Sequence, residues 1–293
     1  MNAKMIDGRV LAKVVGDEVE AEAAAFAAHW GVQPGLTVVR AGEDRASVSY
    51  ADALAKSFAR RGLAFRLVLL PETATQTQIL AAMAELNADP AVHGIMVQEP
   101  LPRGVNEAAV KEALSPAKDV DGVHPVNAGR LSQAEPAGRG GAPDDFFVPA
   151  TPAGGLELLK LSGVPLQGKL AVIVGRSAIV GKPMALLLLR ENATVTICHS
   201  RTDGLADVCR KADVLCAAVG RARMIKGDWI KPGAAVIDFG VNFVDGAMCG
   251  DVDYEAAGEI AGLITPVPGG TGPMTNVMLM KNVLTAARRA VVG

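Results

Sequence analysis

Three features of this sequence predict an α/β fold. Apolar segments of strand length alternate with longer segments of helical periodicity, a pattern typical of parallel sheets covered by helices. Half of the 293 residues are hydrophobic and only 4% are aromatic, so small aliphatic side chains dominate, as in tight helix-on-sheet layers. The run Pro-Val-Pro-Gly-Gly-Thr-Gly-Pro-Met-Thr at residues 266–275 separates an apolar strand from a helix. The length suits one large domain or two ordinary ones.

The first series of elements fills the first half of the chain. Strands are predicted at residues 36–40, 64–70 and 93–98, helices at 8–29, 47–61 (closed by Gly62) and 75–86, and a loop at 122–127. Residues 132–147 are polar and rich in glycine and proline, which predicts a surface loop near a domain boundary.

A second α/β series follows. Strands are predicted at residues 170–174, 194–198, 214–219, 235–239 and 261–264, and helices at 151–161, 182–190 and about 273–290. Thr151 is the predicted N-cap of its helix with Pro152 in the first turn, and Pro273 is the predicted first residue of the last helix. We expect that last helix to return to the first series and to make its domain discontinuous.

Composition excludes several classes of protein. The net charge of −2 and the scattered basic residues argue against a nucleic-acid surface. The four cysteines lack zinc-like spacing, so buried free thiols are expected and no metal. The start of the sequence lacks the pattern of a signal peptide, and the apolar run at 184–189 is far too short to span a bilayer. We therefore expect a cytoplasmic protein without a signal peptide or a membrane partner.

The loop after the strand at 170–174 predicts a dinucleotide site. Gly175 ends this strand and Gly181 begins a helix, an arrangement that directs backbone N–H groups and the helix dipole at a diphosphate. Ser177 stands where the standard G-x-G-x-x-G pattern has its second glycine, so an ordinary strand-to-helix turn remains the alternative.

The end of the next strand favours NADP over NAD. Residues 198–202 contain no carboxylate that could bind a ribose hydroxyl. Arg176 and Arg201 are placed to meet a 2′-phosphate, and Ser200 could donate a hydrogen bond to it. For either arginine, the alternative is a solvated surface charge.

Further candidates come from turns and strand ends. Residues 266–275 predict a rigid turn that exposes its backbone to a flat ligand, with a stiff structural turn as the alternative. Tyr50, one turn into a helix, could stack on an aromatic ligand, or it could be a core or rim tyrosine. Gln98 ends a strand at the ligand-binding edge of a parallel sheet, unless it only bonds nearby backbone. Asp121 could pair with amidine-like N–H groups or form an Asx turn, whereas Asp119 is assigned to turn chemistry.

Taken together, the motifs make the chain resemble the methylenetetrahydrofolate dehydrogenase/methenyltetrahydrofolate cyclohydrolase family over nearly its whole length. They are Ser47-x-x-Tyr50, Val97-Gln98-x-Pro100-Leu101-Pro102, Lys118-Asp119-Val120-Asp121-Gly122, Asn127-x-Gly129-Arg130-Leu131, Pro149-x-Thr151-Pro152-x-Gly154, the runs at 175–183, 198–200 and 266–275, Asp238-x-Gly240-x-Asn242 and Gly250-Asp251-Val252.

The resemblance implies an NADP-dependent oxidation of 5,10-methylenetetrahydrofolate to 5,10-methenyltetrahydrofolate, followed by hydrolysis to 10-formyltetrahydrofolate, in one-carbon metabolism and purine biosynthesis. It implies a homodimer and two α/β domains with mostly parallel sheets and an active-site cleft between them. Residues 1–147 with 273–293 would form the folate-binding catalytic domain, and residues 148–272 the NADP-binding, Rossmann-like domain.

Roles for individual residues are also implied by the resemblance. Tyr50 would stack on the p-aminobenzoyl part of folate, and Asp121 would hold the pterin ring. Pro268, Gly269 and Gly270 would shape the cleft beside the folate and the nicotinamide. Gln98 would orient the family's catalytic lysine.

That lysine is where the chain departs from the family. The family pattern is Tyr-x-x-x-Lys, and Leu54 occupies the lysine position here. Lys56 matches a second, non-catalytic lysine and is rotated about 120° from Tyr50 on a helix; with Asp52 it suits a solvent-side ion pair. Because hydride transfer depends mainly on positioning and ring opening needs proton transfer, we expect the dehydrogenase activity to survive and the cyclohydrolase activity to be weak or absent.

Alternative functions remain. A fully bifunctional enzyme would need another proton-transfer group in place of the lysine. A folate- or nucleotide-binding protein without catalysis is a second alternative, although the intact loop at 175–183 and the intact Asp121 argue against it. A dehydrogenase of another small molecule is the third, and failure to bind any folate would favour it. Glu99 and Thr271 replace residues that are usually apolar and could retune the folate pocket.

Overall fold

The computed structural model describes residues 3–136 and 145–292 as two compact units, each built on a parallel sheet. We name them by their main sheets. The three-stranded unit contains residues 14–130, 145–150 and 276–292, and the six-stranded unit contains residues 3–13, 131–136 and 151–275.

The elements agree in order with the predicted alternation. In the first half they are β1 (Lys4–Met5), α1 (Gly8–Trp30), β2 (Gly35–Ala41), α2 (Arg45–Arg60), β3 (Ala64–Leu70), α3 (Gln76–Ala88), β4 (Gly94–Val97), α4 (Glu107–Ala113) and α5 (Pro125–Gln133). In the second half they are α6 (Ala150–Leu161), β5 (Leu170–Val174), α7 (Gly181–Arg190), β6 (Thr194–Cys198), α8 (Leu205–Cys209), β7 (Val214–Ala217), β8 (Ala235–Asp238), β9 (Asn242–Val244), β10 (Ala247–Cys249), α9 (Tyr254–Gly258), β11 (Leu263–Ile264) and α10 (Thr271–Val292).

The three-stranded unit has the strand order β3-β2-β4, with β2 in the centre. Val38 of β2 pairs with Leu67 on one side and with Met96 on the other. Helix α2 begins after Asp44, whose carboxylate accepts a hydrogen bond from Ser47 N at 2.9 Å. The buried stripe of α2 consists of Ser47, Ala51, Leu54 and Phe58. This stripe and the carboxyl ends of β2 and β4 carry the residues considered below.

The six-stranded unit has the order β1-β11-β8-β7-β5-β6, and all its strand pairs are parallel. The chain passes from β5 to β6 on one side and continues with β7 on the other, so the order reverses at β5. Ligands of such sheets bind beyond the carboxyl ends of the strands at this point. The pairing of β1 with β11, in which Lys4 lies opposite Leu263, was not predicted from the sequence.

Some local predictions were wrong. The predicted loop at 122–127 is partly helical because α5 begins at Pro125, a favoured first helical residue. Since α5 continues to Gln133, the predicted surface loop at 132–147 begins inside this helix. Phe146 and Phe147 in that segment are buried, and residues 137–144 lie outside the described residues. Thr151 lies within α6 rather than capping it, and Pro273 is the third residue of α10.

All four cysteines are buried and free. Within the described ranges, no helix combines the length and apolar character that crossing a membrane requires.

Candidate active site

In the three-stranded unit, Gln98 connects the end of β4 to helix α2. Its backbone N–H donates to Val39 O at 2.9 Å, and its side-chain Nε2 donates to Ser47 O at 2.7 Å. Its Oε1 is the only buried side-chain nitrogen or oxygen without a hydrogen-bond partner among residues 3–136 and 145–292. Such an orphaned acceptor is unfavourable by about 1–3 kcal/mol, so it calls for an explanation.

Leu54 lies on the same face of α2 as Ser47, seven residues further along the helix. The side chain is fully buried and has no hydrogen-bond donor to offer to Gln98. Lys56, by contrast, is exposed on the opposite face of α2. Lys56 forms no ion pair with Asp52 within the described ranges, so the predicted i, i+4 pair is absent there.

Tyr50 and Asp121 interact electrostatically in this unit. Burial of the hydroxyl group, followed by the negative charge of Asp121, raises the pKa of Tyr50 to about 12. The phenol therefore stays protonated at neutral pH and can donate a hydrogen bond. The side chain as a whole is 40% exposed, which leaves ring surface available for a ligand.

The turn that carries Asp121 is anchored by its neighbours. Lys118 Nζ donates to Leu86 O at 3.0 Å and to Asp89 O at 2.6 Å, at the end of α3. Asn282 of α10 donates to Val120 O at 2.8 Å. The backbone that leads into Asp121 is thus fixed, and none of these hydrogen bonds uses the Asp121 carboxyl group.

Asp119 anchors the same turn, as its assignment to turn chemistry predicts. The carboxylate is fully buried and accepts hydrogen bonds from Val123 N, His124 N and Asn127 Nδ2 at 2.8–3.1 Å.

Burial first, and then the charges of Asp119 and Glu99, raise the pKa of Asp121 to about 7, while Lys111 opposes this rise. Asp121 therefore titrates near neutrality, where a carboxyl group can exchange protons efficiently.

Glu99 and Lys111 form an ion pair that sequence reasoning missed. Glu99 Oε1 and Lys111 Nζ are 2.6 Å apart. The charge of Glu99 raises the pKa of Asp121, and the charge of Lys111 lowers it. Lys111 belongs to α4, a helix of seven residues that was not predicted, so nothing in the sequence placed it opposite Glu99.

In the six-stranded unit, the loop from Gly175 to Gly181 has the geometry of a phosphate-binding turn. Gly175 has φ +129°, and a Cβ there would lie 2.1 Å from Ala218 O. Ser177 Oγ accepts hydrogen bonds from Val180 N and Gly181 N, both at 3.2 Å, so the side chain in the usual glycine position bonds the backbone just before and at the start of α7. Residues 176–179 between these anchors are exposed.

Two arginines stand at the ends of the adjacent strands β5 and β6. Gly175 N donates to Cys198 O at 2.9 Å, which ties the two strand ends together. Arg176, Ser200 and Arg201 are exposed there, and neither guanidinium pairs with a carboxylate of the described residues. The segment offers two unpaired cations and a hydroxyl to a ligand.

Asp251 stabilises the loop that follows β7. Its fully buried carboxylate accepts from Val219 N, Gly220 N and Arg221 N at 2.6–2.9 Å, and from Asn242 Nδ2 at 2.9 Å. This loop faces the Gly175 turn across the reversal point of the sheet. The resemblance contained the Gly250-Asp251-Val252 motif but gave it no role.

Asp238 has a similar role at the end of β8. Its carboxylate accepts hydrogen bonds from Gly240 N, Asp251 N and Val252 N at 2.8–3.0 Å. Burial raises the pKa of Asp238 to about 6, against the effect of these hydrogen bonds. Both carboxylates support backbone and leave no atoms for a ligand.

The turn at 266–275 lies against the start of α1. A Cβ on Gly8 would be 1.7 Å from Gly270 O, so the two backbones touch. Gly269 has φ +104° and lies beside the guanidinium of Arg9, which sequence reasoning missed. Pro268 is exposed at the tip of the turn.

We expect Gly175→Ala to abolish dinucleotide binding and to lower the unfolding free energy by about 1–3 kcal/mol. The added methyl group would collide with Ala218 O and would require a backbone conformation that alanine avoids. Dinucleotide titration and thermal unfolding measure both effects. Gly163→Ala is the matched control, because Gly163 has φ +73° but no atom within 4 Å of its would-be Cβ. Equal behaviour of the two variants would contradict the close contact.

Comparison with known proteins accounts for both units. The family model described as tetrahydrofolate dehydrogenase/cyclohydrolase, catalytic domain, matches residues 6–121. The model described as tetrahydrofolate dehydrogenase/cyclohydrolase, NAD(P)-binding domain, matches residues 149–291.

Relatives match over almost the full chain. The bifunctional protein FolD of Chloroflexus aggregans is 48% identical over 289 residues, covering 98% of each chain. The bifunctional protein FolD of Anaeromyxobacter dehalogenans is 51% identical over 286 residues, covering 97% of this chain and 98% of the relative.

Solved structures give the same result. The bifunctional enzyme FolD of Campylobacter jejuni has a TM-score of 0.92 and 37% identity, covering 98% of this chain and 99% of that one. The Trypanosoma brucei methylenetetrahydrofolate dehydrogenase-cyclohydrolase, complexed with NADP and an inhibitor, has a TM-score of 0.91 and 38% identity over the whole of both chains. The chain therefore belongs to the FolD family of tetrahydrofolate dehydrogenase/cyclohydrolases, with a catalytic domain and an NAD(P)-binding domain.

Proposed function

We propose that this protein oxidises 5,10-methylenetetrahydrofolate to 5,10-methenyltetrahydrofolate with NADP, and that its methenyltetrahydrofolate cyclohydrolase activity is weak or lost. The single observation that carries the proposal is the unpartnered Oε1 of Gln98 together with the buried Leu54 on the facing helix. Gln98, which would accept a hydrogen bond from the family's lysine, is present, and the lysine itself is replaced by Leu54.

Helix geometry supports this assignment. Side chains on a helix lean toward its N-terminus, so a lysine at position 54 would extend back along α2 toward Ser47. Gln98 is bonded to the backbone of Ser47. An ammonium group from position 54 would therefore approach the amide of Gln98, and a leucine leaves this acceptor unsatisfied.

The residues of the six-stranded unit fit NADP. The turn from Gly175 to Gly181 offers backbone N–H groups at the start of α7. The Ser177 hydroxyl bonds to the backbone of this turn at Val180 and Gly181. Arg176, Ser200 and Arg201 would hold the 2′-phosphate with charges that are unpaired within the described ranges. NADP supplies the acceptor for the hydride that leaves the methylene carbon of the folate, and the protein supplies the alignment.

The folate would be held mainly by groups of the three-stranded unit. In its carboxylate form, Asp121 would accept hydrogen bonds from the pterin N–H groups. Tyr50 would stack on the p-aminobenzoyl ring. From the six-stranded unit, Pro268, Gly269 and Gly270 would shape the surface near the nicotinamide. None of these groups has to transfer a proton for the oxidation, which explains how the dehydrogenase can function without the lysine.

A coupled spectroscopic assay tests the proposal. Purified protein receives 5,10-methylenetetrahydrofolate with either NADP or NAD, and the reduced dinucleotide and the methenyl product are followed together. We expect NADPH and methenyl to appear in equal amounts, with much slower reaction in NAD. Dinucleotide binding without any reduction would instead indicate a binding protein that has lost catalysis.

A bifunctional enzyme is the second candidate, favoured by one observation. The pKa of Asp121 is raised to about 7, which suits a group that both gives and takes a proton at neutral pH. In that case Asp121 would replace the missing lysine, and methenyltetrahydrofolate would be cleared by the unmodified protein.

We further propose a cytoplasmic homodimer that pairs through the hairpin of β9 and β10. Val241, Phe243, Val244 and Met248 are exposed apolar residues on or beside this hairpin. We expect Phe243→Ser to shift the protein from dimer to monomer in analytical ultracentrifugation. Leu161→Ser, which removes an exposed leucine elsewhere in the same unit, is the control. A dimer that tolerates Phe243→Ser would contradict this choice of interface.

A further inference from the structure

Arg40 is a buried cation without an ionic partner. It lies near the carboxyl end of β2, opposite Leu69 of β3, and only 6% of its surface is exposed. Its Nε donates to Gly42 O at 3.2 Å, and the guanidinium pairs with no carboxylate of the described residues. Burying an unpaired charge is unfavourable, so such an arginine calls for an explanation.

Arg40 lines a cavity of about 680 Å³ between the β2–α2 turn and the outer face of α2. The other charged and polar groups around this cavity are Glu43, Arg45, Ser49, Asp52 and Lys56. Three cations thus face two carboxylates, and the deepest of these groups is the arginine. None of the three cations forms an ion pair within the described ranges.

We propose that this cavity, which we call the Arg40 pocket, binds an anionic group of the carboxylate or phosphate class. The bond from Nε to Gly42 O fixes the orientation of the guanidinium and leaves its two terminal nitrogens for the ligand. A planar guanidinium with two free nitrogens matches the paired oxygens of a carboxylate or a phosphate. Lys56 and Arg45 add charge at the rim, and Ser49 adds a hydroxyl.

The pocket is separate from the groups assigned to the folate ring. Leu54 lies about 160° from Lys56 around α2, so the pocket and the buried stripe are on opposite sides of the helix. Tyr50 is closer, only about 60° from Ala53 on the pocket wall. An extended anionic chain that leaves a ring stacked on Tyr50 could therefore cross α2 at Ala53 and reach Arg40.

Two sources could supply the anion. One is a free ion such as phosphate. The other is a carboxylate of the γ-glutamyl tail of the folate, a possibility that rests on the proposed function. Both would make the same contact with Arg40.

Calorimetric titration at low ionic strength tests the pocket itself. The probes are inorganic phosphate and a tri-γ-glutamyl peptide, without folate or dinucleotide. We expect Arg40→Met to weaken binding of the peptide by about tenfold or more, and Lys56→Met to weaken it less. Arg66→Met is the matched control, because Arg66 is an exposed arginine on β3 of the same unit. The dinucleotide turn at 175–181 is the same in wild type and Arg40→Met. Any anion bound there contributes equally to both titrations, so a difference between the two proteins reports the Arg40 pocket alone.

Thermal unfolding separates a ligand site from a structural role. A ligand-binding Arg40 predicts that Arg40→Met unfolds at the same or a higher temperature than wild type, since an unpaired buried charge is removed. Equal binding of both probes by wild type, Arg40→Met and Lys56→Met, or no binding by any of them, would overturn the proposal. If Arg40→Met does not fold, the exposed Lys56→Met variant still decides the matter.

The source of the anion follows from substrate kinetics. If the tail is the ligand, a triglutamyl substrate has a lower KM than a monoglutamyl one in wild type, and Arg40→Met removes the difference. Equal KM values in wild type, with phosphate binding retained, assign the pocket to a free anion. Because binding is measured without turnover, failure of the pocket leaves the dehydrogenase proposal untouched, and the reverse also holds.

Discussion

Leu54→Lys is expected to increase the clearance of 5,10-methenyltetrahydrofolate by about 10²–10⁴-fold, the usual effect of a positioned acid–base group. The new ammonium group would donate to Gln98 Oε1, which is buried and unpartnered in the present chain. Following the methenyl absorbance after mixing with the variant measures this gain. The dehydrogenase rate should change far less, because hydride transfer does not use the new group.

Two variants control this experiment. Leu54→Met keeps the size and apolar character of the side chain and should leave clearance at the wild-type level. Leu54→Lys combined with Gln98→Leu removes the acceptor and should lose most of the gain. Since Leu54 is fully buried, the lysine variant should also unfold at a lower temperature than wild type, and the difference should grow at lower pH, where a charged ammonium group has to be buried. Equal clearance by the lysine and methionine variants would contradict the role given to position 54.

Asp121→Asn is expected to lower kcat/KM for the oxidation by on the order of 10²-fold, because two hydrogen bonds to an ionised acceptor are weakened. Burial raises the pKa of Asp121 to about 7 in the free protein. The carboxylate that accepts from the pterin forms only above this pH. The wild-type kcat/KM should therefore rise with pH through about 7 and then level off, and Asp121→Asn should lack this inflection.

Thermal unfolding provides the control for Asp121→Asn. A carboxyl group whose pKa is raised on folding supports the folded state at low pH and loses that contribution as pH rises through the folded pKa. The asparagine variant should therefore unfold at a higher temperature than wild type at pH 8.5, with the difference shrinking toward pH 5.5. An unchanged pH profile of kcat/KM in Asp121→Asn would remove Asp121 from substrate binding.

Much of the fold is local in origin and could be predicted. Strands β3, β5 and β6 have the predicted bounds because each is a short apolar run between turn residues. The pairing of β1 with β11 could not be predicted, since nothing local in a two-residue strand specifies a partner about 260 positions away. The hairpin of β9 and β10 did have a signal that was missed: Asp245-Gly246, both with positive φ, is a typical hairpin turn.

The candidate site divides in the same way. Motifs with a fixed spacing pointed to the Gly175 turn, Gln98 and the Asp121 turn, and the structure gives each a defined environment; their catalytic and binding roles stay predictions. Arg40 and the Glu99–Lys111 pair could not be found this way. Whether an arginine near a strand end is buried without a partner depends on packing from distant segments, which a single sequence does not encode locally.

We propose that this protein retains hydride transfer and has lost hydrolysis of the methenyl group. The most direct measurement is the decay of added 5,10-methenyltetrahydrofolate in the presence of the wild-type protein, compared with buffer alone, on a preparation already shown to reduce NADP with 5,10-methylenetetrahydrofolate. We expect the same decay rate in both. Decay that accelerates in proportion to wild-type enzyme concentration would contradict it, and would show that another group performs the proton transfers.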